Sequence, residues 1–259
     1  GANNSLVVSG TQLVDLTAST ASSSTMTYGG STTVNTGAAL HLENINLSLL
    51  GGGSDRNILV ANGAVILRTG GSLNQAFLDR LVQNTNAFVI YASNAGSGNA
   101  LDLTGFPNVS LGTYDSVGTQ TFTFTGTITP ANNIYRFGGI RVGNNNNLNR
   151  VNSLTGARSV VVNGGNLRLM ASMDYTGDTT INAGTFTIAG PVAALNAATG
   201  NGQIGGGNYA GAILNNGAVA HTTTFDQTLS GVISGTGSLT KTFATFTGGS
   251  SGTNSTLTL

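Results

Sequence analysis

The run Tyr175-Thr-Gly-Asp-Thr-Thr-Ile-Asn-Ala-Gly-Thr-Phe-Thr-Ile-Ala-Gly190 constrains this chain more than any other part of it. Two short segments, Thr179–Ile181 and Thr185–Ile188, alternate polar and β-branched or apolar residues, which is the pattern of a strand wet on one face. An Asn-Ala-Gly turn joins them, and glycines close both ends. Strands this short cannot bury a face alone, so they need similar neighbours to stack on. The expectation is an all-β fold, a β-solenoid, which usually serves as a scaffold or surface.

Comparable segments bounded by Gly or Asn recur from Ser5–Val8 to Thr256–Leu259, among them Ala39–Leu42, Ala64–Leu67, Ala87–Tyr91, Ser159–Val162 and Asn166–Met170. Two spacings suggest a coil length. Leu167 and Leu169 are followed by Phe186 and Ile188, and Leu239 by Leu257, each at a step of just under about 20 residues. Such a period fits a coil of parallel β-helix better than a sandwich, whose turns come about every 8–12 residues. Roughly 11–13 coils would then make a rod of about 50–60 Å. The whole chain, 1–259, is expected to form one solenoid domain.

Composition supports many tight turns between many short strands. Glycine accounts for 39 of the 259 residues and proline for three, where average usage would give about half as much glycine. Hydrophobic residues make up 39% and the mean hydropathy is positive, which argues against a disordered Gly/Ser-rich chain. Only 7% of residues are charged, with nine acids balancing nine bases. A neutral surface with a single lysine, Lys241, argues against nucleic acid as a partner, because phosphate binding needs clustered cations. Without cysteine there is no disulfide framework and no thiolate site. No apolar run approaches the length needed to cross a bilayer, so no membrane-spanning helix is expected. The Gly-Ala-Asn-Asn-Ser beginning suggests a mature or excised chain.

One or two short lateral helices are expected beside the solenoid. Ser72-Leu-Asn-Gln75 resembles a capping box, and Leu73, Phe77, Leu78, Leu81 and Val82 then share one helical face. This predicts a helix over 73–83, in an insertion spanning 72–84. Pro191–Ala198 is a weaker second candidate, with Pro at its first position and Gly200 beyond its end. The run Gly143-Asn-Asn-Asn-Asn147 is expected to be an exposed loop rather than an internal amide ladder.

The Tyr175–Gly190 run resembles the autotransporter-associated β-strand repeat of bacterial surface proteins, with Asp178 at the variable place and Phe186 at the last. Gly231-Val-Ile-Ser-Gly-Thr-Gly-Ser-Leu-Thr240 is similar to the element that opens such a repeat. The resemblance implies a right-handed parallel β-helix exported to the cell surface, and it implies little about activity, because the family is defined by its scaffold.

Parallel β-helices also carry polysaccharide lyases and hydrolases, whose sites need two or three converging carboxylates. Here the acids are thinly spread, and only Asp174 and Asp178 are close. They flank a Tyr-Thr-Gly turn, where Asp commonly caps backbone amides, so a structural role is favoured over catalysis or Ca²⁺ binding. His41 and His221 lie far apart on apparent strands and are read as structural. Gly51-Gly-Gly-Ser-Asp-Arg56 lacks the Lys-Ser/Thr ending of a phosphate loop. Tyr28, Tyr91, Tyr114, Tyr135, Tyr175 and Tyr209 would form a carbohydrate-binding stripe if aligned on one face, but core or corner positions are the stronger expectation. No catalytic residue, cofactor or metal ligand is assigned.

The first and last coils of a solenoid expose unpaired backbone groups. Leu6, Val7 and Val8 at one end, and Leu257, Thr258 and Leu259 at the other, are therefore expected to be self-assembly ends. Head-to-tail contact of this kind is heterologous and generates filaments. The leading expectation is a non-catalytic extracellular structural protein that polymerises with itself into a fibre or sheath. The alternative is a carbohydrate-binding adhesin with surface glycans as partners, and a polysaccharide-degrading enzyme ranks third.

Overall fold

A computed structural model describes residues 5–11, 13–17, 30–43, 59–68, 73–83, 86–91, 97–113, 121–139, 147–150, 153–189, 202–242 and 255–259. The architecture is nearly all β, with 52% strand and 6% helix. Every strand pairing among the described residues is parallel. Parallel neighbours require a long return path between them, and the registers show its course. Leu13 pairs with Ala39, Ala39 with Ala64, Ala64 with Phe88 and Phe88 with Ser110. Farther along, Val160 pairs with Thr179, Thr179 with Ile213 and Ile213 with Ile233.

The main path through the largest sheet contains ten strands, from Leu13–Thr17 to Ile233–Ser234. In its second half the rung that begins at Ser159 carries three strand segments. The strand Ser159–Leu169 contributes two of them, 159–162 and 166–169, on either side of an irregularity at Asn163-Gly-Gly. Ser172–Tyr175 is the third. The next rung repeats the first two, with Thr179–Ile188 interrupted near Asn182-Ala-Gly184. Gly184 holds φ at +83°, and a Cβ there would lie 2.1 Å from the Gly165 carbonyl oxygen. Both the backbone sign and the close approach of the rung below therefore select glycine.

The step expected from Leu167 and Leu169 is found: Leu167 pairs with Phe186 and Leu169 with Ile188. The step from Leu239 to Leu257 is not one between paired strands. Leu239 pairs with Val219, whereas Leu257 pairs with Gln227 in a different sheet. The two leucines therefore belong to two different sheets, and their spacing measures a connection between them. Return paths are unequal because the loops between strands differ in length. The path from Val160 to Thr179 is short, and the path from Thr179 to Ile213 is much longer.

One continuous apolar cluster runs from Val8 to Leu229 and includes Val160, Leu167, Met173, Ile181, Phe186 and Val219. Alternate residues of each strand supply it, as period-two geometry requires. A second, smaller cluster lies on the opposite side of the N-terminal strands, where Ala39, Ala64, Ile66 and Ile90 are all buried. Within these strands Ala64, Val65 and Ile66 are consecutive and all buried, as are Val89 and Ile90. They do not follow the alternation expected of them.

The lateral helix exists but is one turn long, Gln75–Leu78, with Asn74 rather than Ser72 as its cap: the Asn74 side chain accepts from the Phe77 amide at 3.1 Å. Of the expected apolar face, Leu73, Phe77, Leu78 and Leu81 are buried and Val82 is half-buried. Because the helix stops at Leu78, burial of four side chains, not helix length, anchors this segment. Pro191–Ala198 and Gly143–Asn146 lie outside the described residues, as do Tyr28 and Tyr114, whereas Asn147, expected in the same loop, opens the strand Asn147–Arg150 and pairs with Asn166. No helix among the described residues is long and apolar enough to cross a membrane.

Candidate binding groove and polar clusters

Strand entry points on successive rungs are marked by asparagine. Asn62 precedes Ala64–Arg68, Asn86 precedes Phe88–Tyr91, and Asn108 precedes Ser110–Thr113. Because these strands pair in register, the three amides follow one another along the sheet. The Asn86 backbone amide donates to Asn62 Oδ1 at 3.4 Å. These side chains line a groove of about 410 Å³, together with Thr36, Phe88, Ser110, Arg136 and Asn163.

Phe88 and Ser110 occupy paired positions on the outward side of the sheet, and Arg136 follows on the next rung, since Phe137 pairs with Leu111. Arg136 stands between Tyr135 and Phe137, which point into the core, so its own side chain must face outward. Its Nε donates to the Pro107 carbonyl at 2.6 Å. Asn163 reaches back over the rung, its Nδ2 donating to Ser110 Oγ at 3.1 Å while its Oδ1 accepts from Asn182 Nδ2 at 2.9 Å. That reach passes Gly138, where a Cβ would lie 3.1 Å from Asn163 Cβ and 3.2 Å from the Phe88 ring. The groove therefore has amide and hydroxyl walls, one half-buried aromatic ring, one guanidinium and no carboxylate in its described lining.

The other polar clusters tie rungs together. Tyr175 and Tyr209 are buried, with ring centroids 5.4 Å apart in an edge-to-face arrangement. Thr179 Oγ1 lies 2.8 Å from each hydroxyl. Tyr209 directs its one proton to the Gly177 carbonyl, so Thr179 donates to Tyr209 and accepts from Tyr175. Burial pushes the Tyr175 hydroxyl up and takes Tyr209 to about 12, so both are neutral donors at physiological pH. Tyr135 is buried as well; its hydroxyl accepts from Arg158 Nη1 at 2.8 Å. These three tyrosines are core residues, so they form no exposed stripe; the Tyr91 side chain lies outside the described residues.

At the last described rung, Lys241 Nζ lies 3.3 Å from His221 Nδ1 and donates to Ser255 Oγ at 2.9 Å. Ser255 in turn donates to the Thr223 carbonyl at 2.7 Å. The serine proton is aimed at a backbone carbonyl rather than at a base, which makes this a stitch between rungs. Burial, with the Lys241 charge second, lowers the His221 pKa to about 4. The imidazole is thus neutral at pH 7, its Nδ1 accepting from Lys241. His41 is buried far from this cluster, on the N-terminal part of the same sheet.

Asp174 and Asp178 do not converge on a common centre. Asp178 Oδ1 accepts from the Ala212 amide on the next rung at 2.9 Å, and Asp174 Oδ2 lies 3.5 Å from Ser153 Oγ. Among the described residues no three His, Asp or Glu side chains group as metal ligands would. Of the expected assembly residues, Val8 is buried, Leu6 and Leu257 are half-buried against the core, and Val7, Thr258 and Leu259 are exposed. The groove was not legible as a motif: Arg136 and Asn163 are distant in sequence, and only the recurrence of Asn before a strand at 62, 86 and 108 hints at it. No family model, curated protein or solved structure matches this chain.

Proposed function

We propose that this chain is a non-catalytic structural surface protein: a right-handed β-solenoid of the autotransporter-associated repeat type that extends end to end into an extracellular fibre or sheath. One observation carries the reading. Parallel rungs follow one another in register, and the outermost described strands pair on one side only. Among the described residues Leu6–Val8 pairs with Thr32–Val34 alone, while Ile233–Ser234, Ser238–Lys241 and Leu257–Thr258 each have a single neighbour. Among the described residues no strand pairs with those outer edges, and backbone donors and acceptors at strand spacing are the template a like rung needs. Exposed Val7 and Leu259 add apolar surface at the two ends.

Electron microscopy and light scattering of the purified chain test this. Unbranched filaments one solenoid wide are expected, growing with concentration. Leu257→Pro, which removes an amide facing away from the Gln227 strand, and Val7→Lys, which charges the opposite end, should each shorten them. Dispersed single particles at high concentration would remove the fibre reading.

A further inference from the structure

We propose that the groove crossing the N-terminal rungs binds a linear anionic polysaccharide, of the uronate type, with a sugar carboxylate held by Arg136. This goes beyond the scaffold reading and does not depend on end-to-end assembly.

The argument begins with the guanidinium. Arg136 donates only its Nε to the protein, at Pro107; among the described residues its two Nη groups have no partner. The fork is thus fixed in direction while four of its five N–H donors remain for a ligand. A planar fork of this kind matches a carboxylate or sulfate oxygen pair. No carboxylate among the described lining residues competes for it, and Arg136 is the one formal charge in that lining.

The rest of the groove suits a sugar polymer. Asn62, Asn86 and Asn108 present amides on consecutive rungs, each able both to donate to and to accept from hydroxyls. Rungs stack at about 4.8 Å, so the span from Thr36 to Asn163 is about 24 Å, room for an extended chain of several sugars. Phe88 places a half-buried ring on the floor, an apolar patch against which the C–H face of a pyranose can pack. A pocket for a small neutral molecule would need enclosure, and this site is an open trough along the stacking axis.

Calorimetric titration of the full chain with hexagalacturonate, a neutral hexasaccharide and sulfated dextran tests the proposal. Hexagalacturonate is expected to bind, weakening as salt rises, while the neutral oligomer binds at least about 10-fold more weakly. Arg136→Gln should lose about 10- to 100-fold, the range for a charge-assisted hydrogen bond. Arg136→Lys, which keeps the charge and loses the fork, should recover only part of that. Arg158→Gln makes the same charge change away from the groove and should bind like the parent; circular dichroism confirms that each variant is folded. If sulfated dextran binds through Arg136 as well, the shared anion is the determinant. Absence of binding to either anionic polymer, equal affinity for the neutral one, or an unaffected Arg136→Gln would overturn the assignment.

Discussion

The N-terminal and C-terminal halves of the sheet use the same parallel ladder but treat its outer face differently. Between Ala39 and Ile90, outward positions such as Ala39, Ala64, Ile66 and Ile90 are buried in a second apolar cluster. Between Ser159 and Lys241 the corresponding positions carry Val161, Thr180, Arg168 and Thr240, none of them fully buried. The sequence difference is direct. Ala64-Val-Ile-Leu67 is a continuous apolar run, whereas Asn166-Leu-Arg-Leu169 alternates and buries only its two leucines. Parallel strands covered on both sides read as unbroken hydrophobic stretches, and those wet on one side read with period two. The half that alternates could be registered by eye; the other could not.

The comparison is broken most severely by charging the covered face. Ile66→Asp places a carboxylate where exposure is zero and should cost about 4 kcal/mol. The outward Thr180→Asp in the C-terminal half should cost about 1 kcal/mol or less. Urea midpoints at unchanged slope would measure both, and equal losses would erase the distinction between the halves.

Next in size is the rung-to-rung contact at the Asn-Ala-Gly turn. Gly184→Ala forces a Cβ onto the Gly165 carbonyl at a positive φ and should lower stability by about 3 kcal/mol. Gly156→Ala, also at positive φ but with open space around it, should cost about 1 kcal/mol. Thermal unfolding of the two variants separates crowding between rungs from backbone strain.

Acid should act selectively on the C-terminal rungs. His221 titrates at about 4 when folded and at about 6.5 when unfolded. The unfolded chain therefore takes up the proton first, and stability falls as pH drops from about 6.5 to about 4. Above that window the contribution is intact; below it the loss is complete, on the order of 2 kcal/mol. His221→Gln should flatten this part of the pH profile. Hydrogen exchange at pH 4.5 should accelerate first around Ser238–Lys241, and uniform acceleration in both halves would contradict the localisation.

The smallest expected effect is Tyr209→Phe, which removes the hydroxyl that links Gly177 to Thr179. About 1 kcal/mol is expected, since the ring and its packing on Tyr175 remain. A loss above about 3 kcal/mol would mean the hydroxyl chain organises the whole rung.

Much of the architecture could be read from residues alone because stacked parallel strands write their register into spacing. Leu167 with Phe186 is the clear instance, a step that the paired strands reproduce. Leu239 with Leu257 failed because similar spacing arises both between paired strands and between separate sheets, and apolar identity does not distinguish them. The helix was legible by its buried face and not by its length, since Leu81 is held by packing after the helix ends. The groove was largely hidden: Arg136 looks like any polar residue of an alternating strand, and its meaning comes from Asn86, Asn108 and Asn163 arriving beside it from other rungs.

The central claim, that successive rungs lie in parallel register along one axis, is tested most directly by electron paramagnetic resonance distances. The chain has no cysteine, so spin labels can be placed in pairs without background. Ser234 pairs with Leu214, Leu214 with Thr180 and Thr180 with Val161. Labels at Ser234 and each of the other three should therefore separate by about 5, 10 and 14 Å, one strand spacing per step. Distances that fail to rise in that order, as two antiparallel layers packed face to face would give, contradict it.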